Sequence, residues 1–418
     1  MLPDSYFFDN LQDFIQKSNI LPKSSDTCII ILNYNNKNFI LRLAALLEKV
    51  DCDVVIVDNH SDDGSYEALV KRYADRFNLI ETKENMGGAG GFGLGIQWVI
   101  EREYRYCFVS EEDALPLDGN EDIFHEMLRH RTKDSFVVAR YYELDTTSFN
   151  LHYHIYPVAI LKHVGTLNKD LFFRADDQEW GMRIRKYLQK HNIAMQTKVV
   201  DRYYTHPLIK RGFGLFANYF GMRNAFFVYL KYPNRNFAID YFQNFVKYCT
   251  YALFTFVHDA NSYPLKQFFY AFKDFLFDDL TKNKKRIEQF RGFTLEPSRY
   301  SLQTLSFDAF YEAYKDYKPI SATFFNKHFE KYRFASHAQR GVIASKFSGV
   351  ARIKAFLYKR IVFVEEVDFL QKTITFFEYE NPSPLRSKIL LFVSASVAAS
   401  AALLFFPIIV MKKLEIIR

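Results

Sequence analysis

Apolar runs of strand length alternate with helical stretches along the first part of the chain. The apolar runs predict strands at 27–34, 53–59, 78–82 and 104–110. The intervening stretches predict helices at 37–49, 66–76 and 95–103. This alternation is typical of an α/β fold with a doubly wound, mostly parallel sheet. Ligands of such sheets bind beyond the carboxyl ends of the strands, so we expect a site at that edge.

The pattern changes further along the chain. A mixed block follows at about 135–206, and from about 212 to 385 the sequence becomes helical and rich in aromatic residues. These shifts predict a lead-in, an α/β domain, a helical C-terminal region and a C-terminal membrane helix. Their predicted bounds are 1–26, 27–230, 231–385 and 389–411.

The C-terminal run is long enough to cross a bilayer. Residues 389–411 carry no charge over 23 positions, and Arg386, Lys388, Lys412 and Lys413 flank them. A helix of that length extends about 34 Å, which exceeds the hydrocarbon core. The sequence therefore predicts a transmembrane helix, with a wholly buried core helix as the alternative. Basic residues at both ends leave its orientation open.

Composition and charge narrow the class of protein. Apolar residues make up 49% and charged residues 25% of the chain, which excludes a disordered or low-complexity protein. The net charge of +7 suits an anionic ligand or membrane and gives no reason to expect nucleic acid. Four widely spaced cysteines and an N-terminus without a signal peptide favour a reducing compartment. We therefore expect a cytoplasmic body on the inner face of the cell membrane.

Glycines concentrate where the third predicted strand meets its helix. Six of the 16 glycines lie between positions 87 and 95. So many glycines let backbone amides approach a phosphate-bearing ligand closely. Within this run, the spacing of Gly88, Gly90 and Gly93 also matches the dinucleotide-binding fingerprint, with Glu111 about twenty residues later. A nicotinamide- or flavin-dependent oxidoreductase is therefore one alternative.

Two features weigh against that alternative. The fingerprint normally opens the first strand–helix unit of a domain, whereas two units precede it here. It also leaves Asp58, Asp113, Asp176, Asp177 and His206 without a role.

An acidic triplet ends the fourth predicted strand. Because strand side chains alternate, Glu111 and Asp113 point to one side and Glu112 to the other. Two carboxylates on one side suit Mg²⁺ or Mn²⁺, which would bridge to a diphosphate. The alternative is a solvated acidic turn. His206, which precedes a proline, would complete a mixed carboxylate–imidazole site that fits Mn²⁺.

A second acidic cluster opens a predicted helix. Asp176, Asp177 and Glu179 precede an apolar, helix-periodic stretch that includes Trp180. A helix cap with an acidic first turn would account for one or two of these carboxylates. Repulsion between Asp176 and Asp177 would raise a pKa in the pair, as proton abstraction requires.

The ordered set of motifs resembles the inverting family 2 glycosyltransferases with the GT-A fold, and most closely their galactofuranosyltransferase branch. The set comprises a strand ending in Asn-Tyr, then VDN, NMGGAGGF, the acidic triplet, RADDQE and a His-Pro. The resemblance covers roughly residues 27–230. It implies transfer of a sugar, galactofuranose by analogy, from a UDP-sugar to a hydroxyl of a glycan or lipid-linked glycan in cell-envelope polysaccharide synthesis. Donor identity, acceptor linkage and assembly into a homo-oligomer stay open.

The resemblance also implies roles for individual residues. The predicted donor-binding residues are Asn33, Asp58, Asn59, Asn85, Gly87, Gly88, Gly90, Gly91 and Glu112. The predicted ligands of Mn²⁺ or Mg²⁺ are Glu111, Asp113 and His206. Asp177 is the predicted catalytic base, and Asp176, Glu179 and Trp180 are expected at the acceptor.

This chain departs from the family pattern at two places. Glutamates replace the first two aspartates of the triplet, and Ala175 replaces an aromatic residue before the acidic pair. A membrane-anchored binder of sugar nucleotides without catalysis is therefore a further alternative.

Overall fold

The computed structural model describes residues 5–141, 151–205, 208–210, 216–232, 237–258, 262–277, 280, 283–291, 302–320, 334, 340–345, 355, 357–368 and 371–417. The chain forms two compact units that divide between residues 206 and 207. Each unit is described by itself.

The N-terminal unit alternates strands and helices as the sequence predicts. Its strands are β1 (Ile15–Asn19), β2 (Thr27–Asn33), β3 (Asp53–Asp58), β4 (Asn78–Thr82), β5 (Tyr106–Glu111), β6 (Leu115–Pro116), β7 (Ser135–Tyr141), β8 (His154–Pro157) and β9 (Gln196–Thr205). Its helices are α1 (Lys37–Leu47), α2 (Ser65–Tyr73), α3 (Gly87–Glu101), α4 (Ile123–Arg129), α5 (Val158–Val164) and α6 (Asp176–Lys190).

These strands form one mixed sheet in the order β1-β4-β3-β2-β5-β8-β7-β9-β6. The central strands β4, β3, β2 and β5 are mutually parallel, which confirms the predicted doubly wound core. Chain order reverses at β2, since β3 lies on one side of it and β5 on the other. The register aligns Asn33 with Asp58 and Leu32 with Glu111, so these strand ends meet at the same edge.

Alternation along the buried strands divides the core into two layers. Ile29 and Ile31 of β2 face a cluster that includes residues of α1 and α2, whereas Ile30 and Leu32 face a cluster that includes α3. Both layers are almost completely shielded from solvent. The uninterrupted apolar runs of β2 and β3 follow from this burial on both faces.

Helix α3 begins eight residues earlier than the sequence predicts. Its first two turns contain the glycines that were expected to form a turn ahead of it. A Cβ on Gly91 would lie 2.3 Å from Leu32 Cδ1, and one on Gly95 would lie 2.8 Å from Ile30 Cγ2. These two glycines therefore let α3 approach β2 closely.

The C-terminal unit contains helices and a second sheet. The helices are α7 (Phe216–Lys231), α8 (Phe237–His258), α9 (Tyr263–Leu276), α10 (Asn283–Arg291), α11 (Phe307–Tyr314) and α12 (Pro384–Ile417). The strands are β10 (Leu208–Lys210), β11 (Gln303–Ser306), β12 (Tyr317–Pro319), β13 (Gly341–Ser345), β14 (Arg360–Asp368) and β15 (Thr373–Glu380).

The second sheet runs in the order β11-β15-β14-β13-β12, with β10 paired to β14. The sequence analysis predicted helices for this region and missed the sheet. Aromatic side chains form clusters between helices α7, α8 and α9, as the aromatic-rich sequence suggested.

Helix α12 contains the predicted membrane segment. The span Pro384–Lys412 is long and apolar enough to cross a membrane by length and composition, the property that the sequence predicts for it. Its neighbours within the C-terminal unit include α8.

Candidate active site

Two polar side chains pair where β2 and β3 end. Asn33 Nδ2 donates a hydrogen bond of 2.7 Å to Asp58 Oδ2, and the amide of Ser61 donates one of 2.8 Å to Asp58 Oδ1. Both side chains are fully buried. Burial raises the pKa of Asp58, while the bonds from Ser61 and Asn33 oppose the rise. The other amide oxygen, Asn33 Oδ1, is buried without a hydrogen-bond partner among the described residues.

The loops that follow these strands interlock beside the pair. The amide of Asn35 donates to Ser61 Oγ at 2.9 Å, and the amide of Asp62 donates to Asn35 Oδ1 at 2.8 Å. The amide of Lys37 donates to Asp63 Oδ2 at 2.8 Å, which fixes the start of α1. Two loops therefore hold the strand ends in place.

Two asparagines shape the turn into α3. Asn59 Nδ2 donates to Asn85 Oδ1 at 3.1 Å and to the carbonyl of Gly87 at 3.0 Å. Asn85 Oδ1 also accepts from the amide of Gly87 at 2.8 Å, and Asn59 Oδ1 accepts from that of Met86 at 3.0 Å. The structure thus brings Asn59 and Asn85 together and gives their side chains a role in the turn itself.

The four glycines predicted at the donor have different surroundings. Gly87 adopts a φ of +70°, and a Cβ there would lie 2.1 Å from the carbonyl oxygen of Phe172. A Cβ on Gly90 would lie 2.4 Å from Met86 Cβ, and Gly91 packs against β2 as described above. Gly88 is half-buried, and a Cβ on it would lie 3.7 Å from Asp176 Oδ2. Gly88 therefore faces the second acidic cluster, whereas the other three glycines serve close packing.

The acidic triplet lies at the end of β5, beside β2. The amide of Glu112 donates to the carbonyl of Leu32 at 3.1 Å, and Asn36 Nδ2 donates to Glu112 Oε1 at 3.3 Å. Burial, followed by the charges of Asp113 and Glu111, raises the pKa of Glu112 well above its usual range. Three half-buried carboxyl groups thus concentrate negative charge at this edge of the sheet.

His152 is a neighbour of the triplet that the sequence analysis missed. Its Nδ1 lies 3.7 Å from Glu111 Oε2. His152 lies two residues before β8 and His154 is its first residue, so two closely spaced histidines beside a strand were the available signal. The predicted ligand His206 lies outside the described residues. Within the described ranges, no group of three or more His, Cys, Asp or Glu side chains is arranged to hold a metal ion.

Asp176 and Asp177 open α6, as predicted. Burial and the charge of Asp177 raise the pKa of Asp176 to about 7. Asp177 is half-buried, and burial also raises its pKa, against a hydrogen bond of 2.8 Å from the amide of Gln178 to Asp177 Oδ1. Both carboxyl groups therefore hold a proton more strongly than an exposed aspartate does.

The backbone before this pair is strained. Phe172, Arg174 and Ala175 have φ values of 64°, 69° and 60°. Residues other than glycine rarely adopt this left-handed backbone region. Such conformations persist where surrounding contacts impose them, and they cluster at functional sites. Here the carbonyl of Phe172 accepts a bond of 3.2 Å from the amide of Ala89, which joins the loop to the start of α3.

Glu179 and Trp180 have hydrogen-bond partners inside the N-terminal unit. Both side chains are fully buried. Arg183 Nε lies 2.9 Å from both carboxylate oxygens of Glu179, and Trp180 Nε1 donates to the carbonyl of Gly165 at 3.0 Å. Their predicted contact with the acceptor stays a prediction. They fix the first turns of α6 on the core and so position the two aspartates ahead of them.

The chain is similar to known glycosyltransferases in sequence and in structure. Residues 28–203 match the family model described as Glycosyl transferase family 2. No curated protein sequence matches the chain. One similar solved structure is a mannosyltransferase from Pyrobaculum calidifontis in complex with GDP-Man and Mn²⁺, with 16% identity, a TM-score of 0.38, and coverage of 68% of this chain and 81% of that one.

A second similar structure, from Desulfovibrio desulfuricans G20, is described as a nucleotide-diphospho-sugar transferase. It has 9% identity and a TM-score of 0.30, and the match covers 44% of this chain and 82% of that one. The oxidoreductase alternative is not favoured, because the family match covers the strands and the acidic clusters. Gly90 and Gly93 of its fingerprint also pack against side chains.

Proposed function

We propose that this site transfers a sugar from a UDP-sugar to a hydroxyl group, with inversion at the anomeric carbon, because residues 28–203 match the model described as Glycosyl transferase family 2. We propose galactofuranose as the sugar and a glycan or lipid-linked glycan of the cell envelope as the acceptor. The resemblance of the motifs supports both assignments.

One observation carries the proposal. The start of α3 faces the start of α6, where a Cβ on Gly88 would lie 3.7 Å from Asp176 Oδ2. The ends of β2, β3 and β5 meet at one sheet edge through aligned registers. This closeness supports the assignment of one site to a carboxylate pair that would abstract a proton and a helix start that would bind a phosphate.

The donor nucleoside has polar partners at the strand ends. The buried Asn33 Oδ1 is an acceptor that lacks a partner among the described residues, and Asp58 is held beside it. Ribose hydroxyls and the uracil imide are donors that suit such groups. We therefore assign Asn33 and Asp58 to the nucleoside, and Gly88 with the first amides of α3 to the diphosphate.

The carboxyl groups at the end of β5 are the type of ligand that hard divalent cations prefer. Burial, and then the charges of Asp113 and Glu111, raise the pKa of Glu112, and a bound cation would relieve the repulsion among the three groups. We propose that Glu111 and Asp113, with His206, hold Mn²⁺ or Mg²⁺. When bound, the metal would offset charge on the departing diphosphate.

Asp177 is the proposed base. Its carboxylate is the more accessible one of the pair, and its raised pKa strengthens it as a proton acceptor. Asp176, which is nearly buried beside it, would hold a proton near neutral pH and orient the acceptor hydroxyl. In the proposed reaction, the acceptor oxygen attacks the anomeric carbon on the side opposite the departing diphosphate. Asp177 takes the proton of the acceptor hydroxyl as the new bond forms.

A panel of nucleotide sugars tests the proposal. We would measure UDP release from UDP-galactofuranose, UDP-galactose and UDP-glucose with and without Mn²⁺, using a glycolipid extract as acceptor and GDP-mannose as a non-uridine comparison. Mn²⁺-dependent release from UDP-galactofuranose is expected. Binding of UDP without turnover of any donor would favour the non-catalytic binder, and binding of NADH in place of UDP would restore the oxidoreductase.

We further propose that the enzyme works on the cytoplasmic side of the cell membrane, where segment 389–411 attaches it. The uncharged, membrane-length segment supports this location. Full-length protein is expected to sediment with membranes and to be released by detergent. Recovery in the soluble fraction without detergent would contradict the attachment.

A further inference from the structure

Helix α12 has two opposite faces. Its buried residues recur along one side of the helix: Ser387, Ser394, Ala398, Ala402, Ile409 and Lys412. The opposite side carries large apolar residues that are exposed, and we call it the outward strip: Ile389, Phe392, Val397, Leu404, Ile408 and Met411. Phe392 and Leu404 are each 74% exposed.

The inward side packs along the length of the helix. Near its start, Leu390 and Leu391 pack against a cluster that includes Phe254 of α8. Further along, Tyr241 of α8 donates to the carbonyl of Ala402 at 3.4 Å. Close to the end, Lys412 Nζ donates to the carbonyl of Leu276, the last residue of α9, at 3.2 Å.

Helix α12 is therefore bound along its length, to α8 near its start and middle and to α9 near its end. The rings of Phe405 and Phe272 of α9, with centroids 5.2 Å apart, add to this contact.

The helices beside α12 carry exposed charges. Lys247 lies on α8, and Lys266 and Lys273 lie on α9, all three exposed to solvent. A bilayer that enclosed α12 on every side would meet these helices too, and would bring their lysines into hydrocarbon at high cost. A crossing orientation therefore conflicts with the packing of the C-terminal unit.

The outward strip suits an apolar phase. No charged residue occurs from Ile389 to Met411, a length of about 34 Å. The hydroxyls of Ser396 and Ser400 donate to the carbonyls of Phe392 and Ser396, each at 3.0 Å, so both are satisfied within the helix. At the start of the strip, Arg386 and Lys388 are exposed and complement anionic headgroups.

We infer that α12 contacts one leaflet of an anionic bilayer lengthwise through the outward strip, while it stays docked on α8 and α9, and that it does not cross the membrane. The inference rests on the membrane attachment proposed above but not on glycosyl transfer. Amphipathic surface helices lie in the plane of the membrane interface with their apolar face toward the lipid and their polar face toward water. In α12 the outward strip would be the lipid-facing side, and the side that would otherwise be polar packs on the folded unit.

Depth-dependent fluorescence quenching tests this orientation in the full chain. Single substitutions Ile389→Trp, Val397→Trp, Leu404→Trp and Met411→Trp would be bound to vesicles of phosphatidylcholine and phosphatidylglycerol. Lipids brominated near the headgroup or near the chain end would serve as quenchers. The signal of the parent protein, which contains Trp98 and Trp180, is subtracted. All four positions are expected to show the same shallow depth.

A crossing helix would give deep quenching at positions 397 and 404 and shallow quenching at 389 and 411, which would overturn the inference. Leu404→Glu is expected to weaken vesicle binding at least tenfold. The matched control, Leu302→Glu, changes an exposed leucine outside the strip and is expected to leave binding unchanged. Absence of quenching together with dimers in sedimentation would instead assign the strip to a second copy of the chain. UDP release in detergent tests glycosyl transfer separately.

Discussion

The carbonyl of Phe172 accepts a hydrogen bond of 3.2 Å from the amide of Ala89, and this bond joins the start of α3 to the loop that leads into α6. Gly87 makes the approach feasible, because any side chain there would overlap the Phe172 carbonyl. The loop holds Asp176 close to Gly88 as a result. Changes that break this backbone contact are therefore expected to disturb both halves of the proposed site.

Substitutions at two glycines of α3, Gly91 and Gly88, distinguish a packing role from a ligand-binding role. Gly91→Ala should lower the free energy of unfolding by about 1–3 kcal/mol, because its Cβ would lie 2.3 Å from Leu32 Cδ1. Gly88→Ala, the matched control, meets Asp176 Oδ2 only at 3.7 Å and should leave stability unchanged or slightly higher. Urea unfolding measures both. Equal loss of stability in the two variants would contradict the packing described here.

The same pair tests donor binding. If Gly88 lies along the diphosphate, Gly88→Ala should weaken UDP binding in calorimetry while the protein stays folded. Unchanged affinity would remove Gly88 from the donor site.

Glu179 should affect stability and not acceptor binding. Glu179→Gln leaves the buried Arg183 without its carboxylate, a change that typically costs about 3–5 kcal/mol. Urea unfolding is the measurement, and the exposed Glu48→Gln is the matched control, with an expected loss below about 0.5 kcal/mol. A stable Glu179→Gln protein with a raised acceptor KM would support the acceptor role.

The pKa of Asp176 predicts a pH-dependent stability. A carboxyl whose pKa rises from 3.8 to about 7 on folding binds more protons in the folded state, so it lowers the free energy of unfolding as pH rises from 4 to 7. Asp176→Asn removes this loss. The variant's gain in stability over the parent should be greater at pH 8 than at pH 5, by about 1–3 kcal/mol. A gain that does not change with pH would show that Asp176 is not held in its protonated form.

Metal dependence can be measured through UDP affinity. Mn²⁺ should tighten UDP binding to the parent protein, and the double variant Glu111→Gln with Asp113→Asn should abolish that effect. His206→Ala should weaken it. Calorimetry with and without Mn²⁺ is the measurement, and Glu121→Gln, an exposed glutamate nearby, is the control. Equal affinity with and without Mn²⁺ in the parent would contradict the proposed metal site.

Much of the sheet could be predicted from the sequence, because β2 and β3 are buried on both faces and therefore appear as unbroken apolar runs. The start of α3 could not be predicted from the sequence, because a run of glycines by itself favours a turn. Packing against Leu32 and Ile30 decides in favour of the helix. The sheet of the C-terminal unit was missed because its aromatic-rich sequence also suits helices.

The candidate site was predicted in part. Asn33, Asp58 and the acidic triplet lie at one edge of the sheet, as expected for residues at the carboxyl ends of parallel strands. The ion pair of Glu179 with Arg183 could not be predicted from the sequence, because only the structure shows that both side chains lie on the buried face of α6.

The initial rate of UDP release from UDP-galactofuranose by Asp177→Asn tests the central claim most directly. The substitution keeps the shape of the side chain and an oxygen that can accept the hydrogen bond from the amide of Gln178, but it removes the base. The account predicts a rate at least about 10²-fold below that of the parent, with UDP affinity unchanged, because the lost interaction belongs to the transition state. A rate close to that of the parent would contradict the proposed catalytic role of Asp177.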